Sequence, residues 1–232
     1  MRFLKPTLAF IGFAVIIFGC NSQKVRKVDL KTDVDSLSYA IGINLGHNLK
    51  NSNIEDVNLF AIINGVQDVK EDKKDALTPN AAMEIIQKHL MKLSTAKGMK
   101  NSEEGKKFLE ENAKNEGVIV DPQGFQYKVI QEGTGATPVE TDVVKVHYKG
   151  TFIDGKEFDS SYKRNEPAEF PLNGVIRGWT LGLQKMKVGG KIMLWIPAEL
   201  GYGERGGGPI GPNQTLIFEV ELLEIVKQEA KK

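Results

Sequence analysis

The spacing of the hydrophobic residues changes about halfway along the chain. From residue 33 to residue 51 they recur at three- and four-residue steps, which is typical of one apolar face of a helix. The members of this face are Val34, Leu37, Ile41, Leu45 and Leu49. Asp33 or Asp35 is expected to cap its start. A second short helix is predicted by a shorter apolar series: Leu59, Phe60, Ile62, Ile63 and Val66.

A third helix is predicted to begin at Thr78 and Pro79, because threonine caps helices and proline suits the first turn. Its apolar stripe consists of Ala82, Ile85, Ile86, His89, Leu90 and Leu93. After Ala96 the pattern becomes polar, and each of the two glycines there weakens a helix by roughly 1 kcal/mol relative to alanine. We therefore expect a solvated spacer helix over residues 97–117 that ends at Gly117.

The two short helices together span fewer than 40 residues, a unit that seldom buries enough apolar surface to fold alone. Packing against the same segment of a second copy would bury their apolar faces. We therefore expect a helical dimerisation domain over residues 33–96. The alternative is that these helices pack on the C-terminal part of their own chain.

From residue 118 onward the hydrophobic period is two, which predicts strands with one buried face. Inward positions are expected at Val144, Val146 and Tyr148, at Ile192, Leu194 and Ile196, and at Leu216, Phe218, Val220 and Leu222. Only residues 178–187 favour a helix between these strands. The expected fold class is α+β, with an antiparallel half-barrel sheet wrapped on one short helix over 118–227 and a tail at 228–232.

The N-terminus has the pattern of a targeting segment. Arg2 and Lys5 precede an apolar run from residue 7 to residue 18, which is too short to cross a bilayer as a permanent helix. The run ends just before Cys20, the single cysteine, in a pattern similar to a bacterial lipobox. We expect a lipoprotein signal peptide at 1–19, a lipidated Cys20 that anchors the protein to a membrane of the bacterial envelope, and a tether at 20–32. An ordinary cleaved signal peptide and a retained anchor are the alternatives.

Composition excludes some function classes. Hydrophobic residues make up 41% and charged residues 26%, as in ordinary globular proteins, and the formal net charge of +1 gives no electrostatic case for nucleic acid. His47, His89 and His147 lie far apart without carboxylate spacing, so the sequence predicts no metal site and no cofactor. What remains is one carboxylate, Asp159, among aromatic and branched residues. Such an apolar socket suits binding and twisting a proline.

Seven segments occur in the order and spacing of one known family. They are 126–130 (QYKVI), 146–151 (VHYKGT), 158–161 (FDSS), 175–179 (VIRGW), 196–197 (IP), 201–203 (GYG) and 216–223 (LIFEVELL). Over about 110 residues they resemble FKBP-type peptidyl-prolyl cis-trans isomerases. The helical half, with its opening at 38–42, resembles the dimeric Mip-like isomerases of bacterial envelopes.

The resemblance implies a role for each matching residue. Trp179 would be the floor under the proline ring, between walls formed by Tyr148, Phe158, Val175, Ile176 and Phe218. The backbone N–H of Ile176 and the hydroxyl of Tyr202 would donate to carbonyls beside the proline. Asp159 would lie near the rotating amide, paired with Arg164, so that Asp159, Tyr202 and Tyr148 form the catalytic set. Rapamycin- and tacrolimus-type inhibitors would bind in the same place.

Two positions depart from the family pattern. Ala168 occupies a position where eukaryotic single-domain members have a pocket phenylalanine, and Phe170 is expected to serve instead. The glycine-rich loop 204–212 lacks a histidine found in some members, which leaves Ile210 as its expected apolar contact to substrate.

Other interpretations of these residues remain open. Tyr148, Phe158, Trp179 and Phe218 taken singly are more often core residues, and Asp159 could merely cap a turn. The predicted function is isomerisation of X–Pro bonds in proteins that fold in the envelope. The rivals are an ATP-independent chaperone with incidental isomerase activity and a structural surface lipoprotein.

Overall fold

A computed structural model describes residues 29–52, 54–73 and 77–226. The predicted signal peptide at 1–19, Cys20, residues 20–28 of the tether and the tail at 228–232 lie outside the described residues. No helix in the described ranges combines the length and apolar character needed to cross a membrane.

The described part of the N-terminal half contains three helices: α1 (Asp33–Asn51), α2 (Leu59–Lys70) and α3 (Pro79–Asn112). The contacts separate the chain between Glu55 and Asp56, which leaves α1 in one unit and α2, α3 and the sheet in the other. The expectation that Asp33 or Asp35 caps α1 was wrong, because the helix begins one residue after its actual N-cap, Thr32. Thr32 is the N-cap, with its hydroxyl accepting from Asp35 N–H at 3.1 Å while the Asp35 carboxylate accepts from Thr32 N–H at 3.2 Å.

Helix α3 begins as predicted, since the Thr78 hydroxyl accepts from Ala81 N–H at 3.3 Å and Pro79 opens the helix. It then runs unbroken past residues 96 and 97, so the expected division between a helical domain and a connecting helix falls inside it. The expected end at Gly117 is wrong, because α3 ends at Asn112. There the Gln126 side chain donates through Nε2 to the Leu109 carbonyl at 2.8 Å, and its Oε1 accepts from Asn112 Nδ2 at 2.8 Å.

The C-terminal half of α3 is not a solvated spacer, which corrects a second expectation. Gly98, Gly105 and Asn112 are buried, although the helix is polar in composition. The two glycines bring its backbone against residues 212–215, just before the last strand, and Asn112 hydrogen-bonds Gln126. The two glycines that weaken the isolated helix are therefore points of close packing.

Within residues 77–226, seven strands form one sheet in which every neighbouring pair is antiparallel. They are β1 (Ile119–Val120), β2 (Gln126–Gln131), β3 (Val143–Phe152), β4 (Glu157–Ser160), β5 (Ala168–Pro171), β6 (Lys191–Ile196) and β7 (Leu216–Val226). The order is β1-β2-β6-β7-β3-β4, and β5 pairs with the other end of β3. A short helix, α4 (Arg177–Leu183), packs against this sheet. The predicted α+β fold class is confirmed.

The period-two prediction is confirmed at each strand that it covers. On β3, β6 and β7 alternate side chains are buried, and the inward ones are those that the pattern selects: Val144, Val146, Tyr148, Ile192, Leu194, Ile196, Leu216, Phe218, Val220 and Leu222. All of α4 from Gly178 to Leu183 is buried against them. One continuous core therefore lies between the sheet and this helix.

Two glycines set the distance between α4 and the sheet. A Cβ on Gly182 would lie 2.7 Å from both terminal methyl carbons of Leu194, and one on Gly178 would lie 2.8 Å from Ile196 Cδ1. These distances are shorter than van der Waals contact, so only glycine permits this packing. As a result, Trp179 of α4 lies within reach of aromatic rings on the strands.

We expect Gly182→Ala to destabilise the sheet domain by about 1–3 kcal/mol, because the added methyl overpacks against Leu194. Alanine's helix propensity alone would stabilise by up to about 1 kcal/mol, which is the opposite sign. Denaturant unfolding followed by the fluorescence of Trp179 and Trp195, both in this domain, measures the change. In a Leu194→Ala background the penalty should vanish, and an equal penalty in both backgrounds would contradict the packing argument.

Candidate functional site

A cavity of about 440 Å³ opens between the sheet, α4 and the loop after β6. Its size is within the range of small-ligand sites. It is lined by Tyr148, Phe158, Asp159, Phe170, Gly174, Val175, Ile176, Trp179, Tyr202 and Phe218. The structure thus brings together every predicted pocket residue except Ile210, from β3, β4, β5, β7, α4 and two connecting segments. Whether each one contacts substrate stays a prediction.

Trp179 forms the base of an aromatic box. Its ring is almost fully buried, and three other rings meet it nearly edge-on. The centroid distances are 5.3 Å to Tyr148, 5.6 Å to Phe170 and 5.2 Å to Phe218. Edge-to-face pairs of this kind stabilise beyond their buried area by roughly 0.5–1.5 kcal/mol each. Among the described residues the indole N–H has no hydrogen-bond partner.

Gly150 on β3 makes room for two of the walls. It pairs with Asp159 on β4 and with Phe218 on β7. A Cβ there would lie 2.6 Å from Phe158 Cζ and 2.9 Å from Phe218 Cε1. Because that Cβ is absent, the rings of Phe158 and Phe218 can meet edge to face, with their centroids 5.5 Å apart and their planes at 89°.

Asp159, Tyr148 and Arg164 form a hydrogen-bonded group at the pocket edge. The Tyr148 hydroxyl donates to Asp159 Oδ2 at 2.5 Å and accepts from Arg164 Nη2 at 2.8 Å. Arg164 Nη1 donates to Asp159 Oδ1 at 2.7 Å, and the Ser160 N–H donates to the same oxygen at 2.8 Å. The guanidinium also lies 5.7 Å from the centre of the Tyr148 ring. The carboxylate is therefore held in one orientation.

This group controls its own protonation. Partial burial by itself raises the pKa of the Asp159 carboxyl, but the hydrogen bonds from Tyr148 and Arg164 and the Arg164 charge outweigh burial and hold that pKa below its usual value. Burial and the neighbouring carboxylate raise the pKa of Tyr148. At neutral pH the group therefore consists of an ionised carboxylate, a neutral phenol and a cation.

Two residues of the pocket lining carry hydrogen-bond donors, Ile176 and Tyr202. Ile176 precedes α4, and its carbonyl accepts from Trp179 N–H at 2.9 Å, whereas its own N–H meets no acceptor among the described residues. Tyr202 lies in the loop after β6 and is 43% exposed. Both are available to an incoming carbonyl.

The structure shows where the residues at the two departures from the family pattern lie. Phe170 lines the cavity next to Trp179, while Ala168 pairs with Val146 two positions earlier on β5. Ile210 does not line the cavity: it is 6% exposed and belongs to the buried core. Its backbone instead closes the loop, because its N–H and carbonyl both pair with Gly207. A contact between Ile210 and substrate is untested.

Sequence reasoning missed two participants. Gly174 lines the cavity before α4, and the buried Ser161 hydroxyl accepts from Tyr148 N–H at 2.8 Å. Position 161 had a signal, because it ends the segment that contains Asp159. In the described ranges no three potential metal-ligating side chains cluster together.

An apolar box with an edge carboxylate and two donors has the chemistry to hold a proline and favour a twisted amide, so fold and site define a prolyl isomerase. A sequence model described as FKBP-type peptidyl-prolyl cis-trans isomerase matches residues 135–223. A second, described as the domain amino-terminal to FKBP-type peptidyl-prolyl isomerase, matches residues 34–129. The chain belongs to the FKBP-type peptidyl-prolyl cis-trans isomerase family.

Relatives match over most of their length. The chain is 44% identical to "Outer membrane protein MIP" of Legionella longbeachae, over 98% of this chain and 99% of that protein. It is 47% identical to the FKBP-type 22 kDa peptidyl-prolyl cis-trans isomerase of Escherichia coli K12, over 82% and 94% of the two chains. The crystal structure of FkpA from Escherichia coli matches with a TM-score of 0.65 and 41% identity, over 84% of this chain and 97% of that one.

These matches confirm the predicted resemblance to Mip-like isomerases and the enzyme class, a peptidyl-prolyl isomerase. They favour isomerisation over a chaperone whose turnover is incidental.

We expect Arg164→Met to raise the pKa of Asp159, because burial then opposes ionisation without the guanidinium. The protonation that inactivates the carboxylate should accordingly occur at higher pH, so the acid limb of the activity profile moves upward. Carboxyl ¹³C titration and kcat/KM against pH measure both effects. Lys163→Met is the matched control, since Lys163 pairs with Glu157 at 2.9 Å. An unchanged Asp159 pKa in Arg164→Met would contradict the electrostatic role.

Proposed function

We propose that this enzyme accelerates X–Pro bond rotation in polypeptides folding in the bacterial cell envelope, with the proline ring on Trp179. The observation that carries the proposal is the aromatic box around Trp179 with Asp159 at its edge. A flat apolar floor with three rings edge-on suits a pyrrolidine ring, which is compact and has no N–H.

The chemical difficulty lies in the barrier. Trans is favoured over cis at X–Pro by only about 0.5–1 kcal/mol, whereas amide resonance makes the rotational barrier roughly 18–20 kcal/mol. Uncatalysed exchange therefore takes on the order of 10–100 s. A catalyst must bind the twisted amide more tightly than either planar form.

The apolar walls contribute by excluding water. Water stabilises the planar amide, whose resonance separates charge between oxygen and nitrogen. Inside the box that solvation is lost. The planar amide loses more stabilisation than the twisted form, which has less charge separation, so the free-energy difference between them becomes smaller. The walls thereby lower the barrier without a covalent step.

The polar groups of the pocket orient the substrate chain and place an electrostatic field on the rotating amide. The Ile176 N–H and the Tyr202 hydroxyl donate to carbonyls on either side of the proline and hold the chain while the amide turns. Asp159 places a fixed negative charge beside the rotating amide, which opposes the resonance form with negative charge on the carbonyl oxygen. Arg164 and Tyr148 maintain that charge by keeping the carboxylate ionised and oriented.

The envelope location rests on the N-terminal pattern and on the relative named as an outer membrane protein. We propose that residues 1–19 are removed, that Cys20 is lipidated and that residues 20–32 form the tether. The mass of the N-terminal peptide tests the lipid, since an unmodified Cys20 would contradict it.

The helical region has the surface of an assembly module. Neither α1 nor α2 contains a buried residue, and large apolar side chains on both are exposed, including Leu37 at 63% and Phe60 at 63%. Monomeric proteins rarely leave such contiguous apolar faces uncovered. We propose a homodimer through residues 33–96, with residues 97–117 connecting to the isomerase domain at 118–227.

We expect Tyr202→Phe to lower kcat/KM about tenfold and Asp159→Leu at least as much, because each removes a group that acts on the amide in the transition state. A protease-coupled assay with a short peptide carrying an apolar residue before proline measures this, with rapamycin as a competitor for the pocket.

Tyr162→Phe is the matched control for the tyrosine change, since Tyr162 hydrogen-bonds Glu221 and does not line the cavity. Wild-type kcat/KM in both pocket variants would overturn the assigned roles. Loss of turnover with unchanged suppression of aggregation would separate the isomerase from any chaperone activity.

For assembly, light scattering on the chain from residue 20 should give the mass of two copies, and deletion of residues 21–96 should give one. Leu37→Lys should weaken the dimer, because it places a charge in the apolar interface. Ser102→Lys, at an exposed position of α3, is the control. A monomeric parent chain would contradict the proposal.

A further inference from the structure

One stripe of α3 carries small and amide residues rather than apolar ones. Gly98, Asn101 and Gly105 follow each other at three- and four-residue steps, so they share one face of the helix. Both glycines are buried, and Asn101 is half-buried. The face that looks polar in sequence is therefore a packing face.

This stripe docks on residues 212–215, immediately before β7. A Cβ on Gly98 would lie 3.3 Å from Pro212 Cβ, and one on Gly105 would lie 3.2 Å from Thr215 Cβ. Thr215 is itself buried. At Gly105 an added Cβ would also overlap the Thr215 hydroxyl, so the helix backbone lies closer to this segment there than a larger residue would allow.

Two side-chain amides join the surfaces across more than 100 residues of sequence. Asn101 Nδ2 donates to the Pro212 carbonyl at 2.7 Å, and Asn213 Nδ2 donates to the Gly98 carbonyl at 3.3 Å. The Asn213 bond reaches a helix carbonyl that glycine leaves uncovered. Each amide thus ties the other element's backbone.

From Asn213 the hydrogen bonds continue to the pocket. The Asn213 N–H donates to the Gly203 carbonyl at 2.9 Å, and the Gly203 N–H donates to the Ala198 carbonyl at 2.8 Å. Gly203 directly follows Tyr202. The Tyr202 ring lies close to Gly207, where an added Cβ would be 3.0 Å from Tyr202 Cδ1. A continuous path thus joins Asn101 on α3 to the backbone that presents Tyr202.

We propose that α3 is a positioning element of the active site, with Asn101 and Asn213 holding the loop that aims Tyr202 at the substrate carbonyl. The inference rests on the role proposed above for Tyr202. Asn101 and Asn213 are positioning residues, because they act on the substrate only through Tyr202.

The loop needs such support because of its composition. Residues 203–211 contain five glycines, which have the greatest backbone freedom to lose on ordering. Tyr202 is too exposed for core packing to fix its ring. Docking on α3 restricts the loop before substrate arrives, which lowers the ordering cost of binding.

The functional test is Asn101→Ala, which removes the donor and leaves the helix intact, since alanine favours helix. We expect kcat/KM to fall about three- to tenfold, the effect of losing one well-placed hydrogen bond. Ser102→Ala, an exposed neighbour on the same helix, is the matched control and should keep the parent value.

Epistasis with Tyr202 separates positioning from general destabilisation. In a Tyr202→Phe background, Asn101→Ala should change kcat/KM less than about twofold, because the hydroxyl that it positions is already absent. An equal loss in both backgrounds would overturn the path through Tyr202. A Tyr202→Phe chain with full activity would overturn the proposed role of Tyr202, and the functional inference with it.

Amide hydrogen exchange tests the docking independently of activity. In Asn101→Ala the Asn213 and Gly203 amides should exchange faster, while in Ser102→Ala they should not. Unchanged exchange at both amides in Asn101→Ala would overturn the docking, whatever the assay shows.

Discussion

The close approach of α4 to β6 is the constraint on which the site depends. Gly178 and Gly182 let the helix backbone lie directly on Ile196 and Leu194, and this distance decides where Trp179 stands. With a larger spacing the indole would be out of edge-to-face reach of the strand aromatics, and the cavity would lose its floor. Gly150 applies the same principle on β3, where a missing Cβ lets two wall rings meet. The pocket is thus shaped by absent side chains as much as by present ones.

Different residues determine the shape of the site and its charge. The rings fix the volume and exclude water, whereas the Tyr148–Asp159–Arg164 group fixes a negative charge at the edge. Because the hydrogen bonds from Tyr148 and Arg164 and the Arg164 charge hold the pKa of Asp159 low, the carboxylate remains ionised beside an apolar cavity.

The sheet could be predicted from local apolar alternation, whereas most pocket residues were predicted from the resemblance to a known family. Period-two burial on β3, β6 and β7 follows directly from apolar alternation, and the joint spacing of Tyr148, Asp159 and Trp179 distinguishes pocket from core. The docking of α3 on residues 212–215 could not be predicted from the sequence, because its glycine and asparagine residues form no pattern of hydrophobic positions. The end of α3 was also missed, because it depends on Gln126 of β2, which hydrogen-bonds the last turn of the helix. The burial of Ile210 in the core was not predicted for a related reason: burial of a loop residue depends on contacts distant in sequence.

The unbroken length of α3 limits how this architecture can change over evolution. Its 34 residues span about 51 Å, well beyond the diameter of a small domain. Each inserted or deleted residue moves the ends by about 1.5 Å and also turns them by about 100° about the axis. An apolar stripe lies toward one end and the docking stripe toward the other, so most insertions or deletions between them would set the two stripes on different faces. Changes of seven or eleven residues preserve both faces, each with a drift of about 20°. Length variation among descendants of this helix is therefore expected in steps of about 10 or about 16 Å.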